Sequence, residues 1–315
     1  MIWLIISPAL QQGSLVALAI LGIAVSFRML NFPDLTVDGS FTLGASVCAV
    51  SLVGGHSPWT AMLFAALAGF TAGIGTVFLH RILGISKLLS GILSMMILYS
   101  LNLRIMGRAN ISLLKTYNIL TPIEMLGTNS FIYLIVLSII PIVAFMLLCY
   151  FAATHIGLFM RATGDNEFMV RGVGVNTNWP VFIGLGFSNT LVALSGALVA
   201  QSQGFADVNM GVGLIITGLA ALIIGETVMD LLGSLRRLFG DRKSHSRALL
   251  LPWETFHQLT GAFIGAFIYF LIIGICLRLG LAPTDLKLGT GVLVILGIAL
   301  RLKGAEVESY TKARW

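Results

Sequence analysis

The stretch NFPDLTVDGS, residues 31–40, separates two long apolar runs near the start of the chain. The run before it, about residues 9–28, matches the roughly 20 residues that a helix needs to cross the hydrocarbon core of a membrane. The run after it, from Phe41 to Val53, holds only 13 residues, which as helix cover about 20 Å of a core about 30 Å thick. The second helix therefore either starts below the membrane surface or follows irregular chain, drawn from Leu35–Gly39, inside the membrane.

Irregular backbone at that depth needs protein or a water-filled cavity around it, and broken helices of this kind often mark the solute path in transporters. On this interpretation, the candidate path residues in the stretch are Asp34, Thr36, Asp38, Ser40 and Phe41. The alternative is a turn at the membrane surface, with Asp38 as the N-cap of the second helix and Gly39 easing the turn. The residues alone leave both interpretations open.

Composition places the whole chain in a membrane. Of its 315 residues, 57% are apolar and 10% are charged, against roughly 25% charged in ordinary soluble domains. The mean hydropathy is +0.97. Apolar stretches recur from end to end, so we expect an all-α, polytopic transmembrane helical bundle, a single domain over residues 1–315.

Nine stretches predict membrane spans, and their soft boundaries allow eight to ten: about 9–28, 38–55, 59–79, 87–107, 130–153, 180–202, 212–232, 257–279 and 288–302. If the loop 154–179 is cytoplasmic, five of the 19 Lys and Arg residues fall outside, namely Arg104, Arg108, Lys115, Arg278 and Lys287. The other fourteen then fall on the cytoplasmic side, some of them in a basic loop at 233–254. This bias predicts an external N-terminus and a cytoplasmic C-terminus.

The cytoplasmic loop contains the segment RATGDNEFMVRGVGVNT, residues 161–177. Its start at 164–167 suits a helix N-terminus, and Gly172 and Gly174 supply a C-terminal stop. We expect an amphipathic helix of about two turns, with Phe168 and Met169 on an apolar face that needs a partner. That partner is either a soluble subunit or the lipid headgroups.

Polar residues inside the later spans are further candidates. Asn189 lies near the middle of the sixth span, and Glu226 and Asp230 lie near the inner end of the seventh. Ionisable groups in a membrane are functional candidates by default, so Asn189 and Glu226 join the candidate path residues. The competing interpretation makes Asn189 a hydrogen-bonding contact between helices and lets both acids reach water or Arg236.

Two glycine pairs, Gly69-x-x-x-Gly73 and Gly261-x-x-x-Gly265, each open a span-loop-span unit, and the two units run in opposite directions. This pattern favours an inverted repeat, a common transporter architecture. The sequence has no catalytic motif and no phosphate-binding G-x-x-x-x-G-K-[ST] loop. Its three cysteines lie singly in apolar runs, so no metal site is expected. No basic cluster with aromatic residues indicates nucleic acid.

Three stretches resemble one known family, the ribose and branched-chain amino-acid permeases of ABC importers. They are NFPDLTVDGSFTLGA at 31–45, RATGDNEFMVRGVGVNT at 161–177 and GLAALIIGE at 218–226. The first and third are most similar to a branch paired with lipoprotein binding components, some of whose members are associated with tryptophan or tyrosine uptake. The chain departs from the family in its long basic stretch at 234–251 and in having nine spans where some relatives have ten.

The resemblance implies the permease subunit of an importer, without an ATPase site of its own, in the cell membrane of a prokaryote. Its solute would be small, an amino acid rather than a sugar. The implied partners are a second permease copy, two ATPase subunits and an extracytoplasmic binding protein. No cofactor is expected in this chain, since ATP and Mg would bind to the ATPases.

The resemblance also implies that the cytoplasmic helix is the coupling helix, which docks on the ATPase. The implied coupling residues are Arg161, Gly164, Asp165, Asn166, Glu167, Phe168, Met169, Arg171, Gly172 and Gly174. Two alternatives remain at this point. One is a secondary transporter driven by an ion gradient, and the other is a membrane scaffold or enzyme subunit that transports nothing.

Overall fold

The fold is taken from a computed structural model, which describes residues 3–114, 130–238 and 253–280 and nine isolated positions between 116 and 295. Eight helices in these ranges are long and apolar enough to cross a membrane. They match the first eight predicted spans with ends that differ by no more than four residues. The ninth predicted span, at 288–302, falls mostly outside the described residues, as does the middle of the basic loop 233–254.

The helices take up most of the described chain. They are α1 (Trp3–Ala24, continued by a π-helical turn at Val25–Met29), α2 (Thr36–Val53), α3 (Pro58–Arg81), α4 (Lys87–Met106), α5 (Ser130–Ala153), α6 (His155–Asp165), α7 (Glu167–Gly172), α8 (Asn178–Gln203), α9 (Leu214–Leu238) and α10 (Trp253–Arg278). Two short strands, β1 (Asn110–Ser112) and β2 (Phe205–Asp207), pair antiparallel.

Local sequence explains where several helices begin and end. Ser57 caps α3 by accepting a hydrogen bond from the backbone N–H of Thr60, and Pro58 follows at the first helical position, where its missing N–H costs nothing. Helices α4 and α8 both stop at a glycine with a left-handed backbone, Gly107 at φ 66° and Gly204 at φ 74°.

Helix α8 is the centre of the bundle and packs against α1, α2 and α3. Its neighbours approach so closely that a side chain would not fit. A Cβ added to Gly44 of α2 would lie 1.9 Å from the carbonyl oxygen of Ala193, and one on Gly69 of α3 would lie 2.4 Å from that of Asn189. Small residues at such crossings let backbones pack directly, which supplies the association energy where lipid removes the hydrophobic drive.

Both predicted glycine pairs lie at such crossings. Gly73, like Gly69, packs on α8, while Gly261 and Gly265 of α10 pack against Gly225 of α9. The pairs thus join α3 to α8 and α10 to α9. The inverted repeat that would relate the two crossings stays a prediction.

The connections between spans define two ends of the bundle. We call the end that carries α6 and α7 the basic face, because Arg81, Lys87, Arg161 and Arg171 lie there. We call the end that carries the paired strands β1 and β2 the sheet face. Successive described spans alternate in direction between these two faces, as the sequence predicts for a polytopic bundle.

Candidate functional site

The α1–α2 junction is a break in the helical structure, inside the protein. Helix α1 ends in the π-helical turn, Asn31 takes a left-handed conformation at φ 47°, and regular helix resumes only at Thr36. Phe32 and Asp34, within the break, are both buried. Non-helical chain surrounded by protein is the first of the two arrangements that the sequence left open.

Asp34 is held by the central helix. Its Oδ1 accepts a 2.9 Å hydrogen bond from the backbone N–H of Thr36, and its Oδ2 accepts a 2.7 Å bond from the Nδ2 of Asn189. Neither Asp34 nor Asn189 is exposed to any extent. Asn189 thus bonds to non-helical chain between α1 and α2, and its place in the solute path stays a prediction. Because Asn189 lies near the middle of α8, the bond ties the break to the centre of the bundle.

The start of α2 is also bonded to α3 and α4. The hydroxyl groups of Thr36 and Thr76 lie 2.8 Å apart, and Thr76 donates a 2.8 Å bond to Ser94. Ser94 is seven residues from the start of α4 at Lys87, a distance of about 10 Å along the helix. Helix α2 therefore begins below the basic face and not at its surface.

Asp38 does not cap its own helix, and the prediction that it does was wrong. Helix α2 begins two residues earlier, after Leu35, which makes no side-chain capping bond. The Asp38 carboxylate instead accepts 2.9 Å hydrogen bonds from the backbone N–H groups of Gly213 and Ile215, at the start of α9. A negative charge there satisfies orphan amides and favours the helix dipole.

Helix α9 also begins deep inside the bundle. A Cβ on Gly218, in the second turn of α9, would lie 2.2 Å from the Cδ1 of Ile23. Ile23 is 17 residues beyond Ile6, where the first span begins. The contact between Gly218 and Ile23 therefore lies about 25 Å from the sheet face. The start of α9 lies about 20 Å from the same face. Residues 208–213 thus run from the sheet back into the bundle.

This second broken helix is not among the features predicted from the sequence. The signal that could have found it is the glycine pair Gly211 and Gly213, directly before an apolar run that has no polar N-cap of its own. Gly211 packs so closely that an added Cβ would lie 2.1 Å from the carbonyl oxygen of Asp38. Its N–H donates to the hydroxyl of Thr42 at 3.1 Å. The starts of α2 and α9 therefore meet near the middle of the bundle.

The remaining candidate path residues are buried within the chain. Ser40 and Phe41 are buried in the first turns of α2, and Asn102 of α4 donates a 3.2 Å bond to the carbonyl of Gly39 beside them. Glu226 lies apart from this group. Its Oε2 accepts a 2.6 Å hydrogen bond from Arg28, on the π-helical turn that ends α1.

The segment on the basic face forms two helices where the sequence predicted one. Helix α6 ends at Asp165, so Gly164 and Asp165 close this helix and do not start the next. Asn166 is extended at φ −152°, and its side chain caps α7 by accepting a 3.0 Å bond from the N–H of Met169. Gly174 takes the predicted left-handed conformation after α7, at φ 85°.

Helix α6 fastens the segment to the bundle. A Cβ on Gly164 would lie 2.3 Å from the carbonyl oxygen of Met29, so the helix rests directly on the end of α1. Arg161 donates a 2.8 Å hydrogen bond to the hydroxyl of Thr255 on α10. These contacts place α6 across the ends of two spans.

Glu167, at the start of α7, is the polar centre of the segment. Its Oε1 accepts hydrogen bonds from Arg81 at the end of α3, from Arg171 at 2.6 Å and from Thr177 at 3.0 Å. Burial by itself raises the pKa of Glu167, but the bonds from Arg81 and Thr177 outweigh it and hold that pKa below its ordinary value. Glu167 therefore fastens α7 to the bundle as a carboxylate.

The opposite side of α7 is apolar and points away from the bundle. Phe168 is 87% exposed and Met169 is 70% exposed, whereas Val170 faces inward and is buried. Val173, just past the end of the helix, is also exposed. This six-residue helix is thus capped and ion-paired, and it presents an exposed apolar side away from the bundle.

Comparison with known proteins places these features in one family. A family model described as the permease component of a branched-chain amino acid transport system matches residues 5–299. The chain is 38% identical to a tyrosine transport system permease protein of Clostridioides difficile, over 93% of this chain and 90% of the relative. No solved structure matches the chain.

Two further relatives are also similar to the chain. One has no described role, and the other matches a smaller share of the chain. An uncharacterized protein of Rickettsia prowazekii is 35% identical, over 94% of this chain and 97% of its own length. A galactofuranose transporter permease protein of Escherichia coli is 26% identical, over 61% of this chain and 55% of its own length.

Proposed function

The chain belongs to the family of branched-chain amino acid transport system permease components, and on that premise we propose that it forms the translocation pathway of an ABC importer for an amino acid. A separate ATPase would drive the transport, and an extracytoplasmic binding protein would deliver the solute. The exposed apolar side of α7, with Phe168 and Met169, is the observation that carries the ATPase partner.

The two broken helices support a pathway through the bundle. Helices α2 and α9 both begin at depth, and their first turns are joined by Asp38. Discontinuous helices near the middle of a membrane typically form the solute site around which transporters change conformation. We assign the region around Asp34, Thr36, Asp38 and Asn189 to that conformational change, with Ser40, Phe41 and Glu226 as further candidates for the pathway.

The proposed assembly contains two copies of the permease, two ATPases that bind ATP and Mg, and a binding protein of the lipoprotein type. The basic face would lie in the cytoplasm of a prokaryotic cell, since fourteen of the 19 Lys and Arg residues are predicted on that side. The N-terminus would then be external and the C-terminus cytoplasmic. Closure of the ATPases on nucleotide would switch the permease between its inward-facing and outward-facing states.

Co-purification with the ATPase tests the docking surface. We expect the double substitution Phe168→Ser and Met169→Ser to abolish the complex, because polar side chains remove the apolar area that fills the groove of the partner. Leu114→Ser is the matched control, since Leu114 is as exposed as Phe168 but lies on the sheet face. A complex that survives the double substitution would rule out α7 as the docking helix.

Energy dependence separates an ABC importer from an ion-driven carrier. In intact cells, uptake through the importer stops when ATP is depleted and continues when an ionophore collapses the ion gradients at constant ATP. The reverse pattern would identify a secondary transporter.

The substrate proposal is an amino acid with an aromatic or branched side chain. It is supported by the relative from Clostridioides difficile, a tyrosine transport system permease protein that is similar over nearly the whole chain. Thermal-shift measurement of the partner binding protein tests this with tyrosine, tryptophan, leucine and galactose. A shift with galactose alone would move the assignment to sugars.

A further inference from the structure

The carboxylate of Glu167 forms one bond within α7 and another that joins α7 to a membrane span. Arg171, four residues along α7, forms an i, i+4 pair with this carboxylate, which adds to the stability of the helix. The same carboxylate oxygen also accepts a hydrogen bond from Arg81, the last residue of α3. The Arg81 side chain is only 10% exposed. Holding a guanidinium in so enclosed a place is costly unless it is paired, so this link is a specific one.

Helix α3 leads from this ion pair to the break at the start of α2. Thr76 lies five residues before Arg81, about 7.5 Å along the helix. Its hydroxyl meets the hydroxyl of Thr36 at 2.8 Å, and Thr36 is the first residue of α2. The Thr36 backbone in turn donates to Asp34 inside the break. A continuous set of polar contacts and helical backbone therefore joins α7 to the broken helix.

The contact between α6 and the end of α1 has a different mechanical character. Gly164 of α6 rests against the carbonyl of Met29 by close packing. Packing resists compression but gives little resistance when the two surfaces separate. The charge-assisted hydrogen bond between Glu167 and Arg81 also resists separation, because moving opposite charges apart costs energy.

We propose that the Glu167–Arg81 ion pair transmits the displacement of α7 along α3 to the start of α2, so that both residues are positioning residues for coupling ATP hydrolysis to transport. This inference rests on the proposed function, in which an ATPase moves α7. It assigns the coupling to α3 and not to the loop that follows α7. Coupling through a contiguous network with two arrangements is the physical form such a link takes.

The test uses the complete transporter, with its ATPases and binding protein, in liposomes. The measured quantity is the amount of substrate transported per ATP hydrolysed. We expect Arg81→Gln to keep ATPase binding and hydrolysis but to lower this ratio by about fivefold or more. Arg81→Lys keeps the charge and restores part of the ratio. Arg108→Gln, which removes an exposed guanidinium at the sheet face, leaves the ratio unchanged.

Two results would overturn the proposal. One is an unchanged ratio in Arg81→Gln, and the other is an equal fall in Arg108→Gln, which would mean that the fall does not depend on the ion pair. Thr76→Val covers the case in which Arg81→Gln does not assemble. It removes the hydroxyl contact at the far end of the path and leaves the ion pair intact, and it must lower the ratio too.

The outcome also separates this proposal from the proposed function. If the wild-type chain neither binds an ATPase nor transports, the proposed function fails and the coupling role fails with it. If the wild type binds and transports while Arg81→Gln remains fully coupled, only the role of the Glu167–Arg81 pair is rejected.

Discussion

The carboxylate of Asp38 accepts a 2.9 Å hydrogen bond from the backbone N–H of Gly213, and with it the start of α2 holds the start of α9. The carboxylate also accepts a second bond of the same length, from the backbone N–H of Ile215. Inside a membrane protein there is little water to replace these bonds. Any movement that separates α2 from α9 must therefore break both of them or carry Asp38 with α9.

The first prediction concerns this contact. Asp38→Ala removes both bonds and the charge, and we expect it to lower the free energy of unfolding by about 1–2 kcal/mol, as for the loss of an N-cap, and to abolish transport. Thermal denaturation in detergent and uptake in liposomes measure the two effects. Asp207→Ala is the control, because Asp207 accepts a similar backbone bond from Asn209 in the turn at the sheet face. Equal losses in the two variants would contradict a special role for Asp38.

The second prediction concerns the buried pair of Asp34 and Asn189. Asn189→Ala leaves the buried Asp34 carboxyl group with one of its hydrogen bonds removed, at a cost of about 1–3 kcal/mol. The neighbouring Thr190 bonds mainly to the carbonyl of Gly186 in its own helix, so Thr190→Ala should cost much less. Chemical denaturation of both variants gives the comparison. If Thr190→Ala is as damaging as Asn189→Ala, the pair does not organise the break.

The third prediction compares two glycines of α3. A Cβ on Gly73 would lie 2.3 Å from the carbonyl oxygen of Leu185, whereas one on Gly75 meets nothing within 4 Å. We expect Gly73→Ala to push α3 away from α8 and to lower the melting temperature. Gly75→Ala should leave the melting temperature unchanged or raise it, because alanine favours helix over glycine. A melting temperature of Gly73→Ala equal to or above that of Gly75→Ala would contradict the prediction.

The fourth prediction follows from the lowered pKa of Glu167. Because this pKa is lower in the folded chain than its ordinary value of 4.5, the stabilisation is fully present at neutral pH, and it is lost as the pH falls below 4.5 and through the folded value. The wild type should therefore exceed Glu167→Gln in melting temperature at neutral pH, and the two curves should converge in acid. Curves that stay parallel down to pH 3 would show that the carboxylate contributes through shape and not through charge.

The spans and the stop signals could be predicted because both are local. Eight runs of apolar residues match the described spans within four residues, since crossing a membrane requires only length and hydropathy. The left-handed conformation of Gly174, after α7, could be predicted for the same reason. The extra helix α6 was not predicted from the sequence, although Thr154 caps it locally by accepting a hydrogen bond from the N–H of Gly157.

Asp38 shows where prediction from the residues ended. An acid followed by glycine at the start of an apolar run has the pattern of an N-cap for its own helix, and the pattern is correct about the chemistry. The amides that it binds, however, lie at the start of another helix, 175 and 177 positions further along the chain. Which helix end arrives at Asp38 depends on the depth at which α9 begins, and no local pattern encodes that depth.

The sequence by itself therefore determined that the chain spans a membrane repeatedly, where most of its helices lie and which family it resembles, because apolar length and short motifs act locally. Only the tertiary structure decided that the stretch at residues 31–40 is a buried break. The same structure decided that Asp34 is bonded to α8, Asp38 to α9 and, elsewhere in the chain, Glu167 to α3. Partners such as these are selected by the packing of whole helices, which brings together residues that are far apart in the chain.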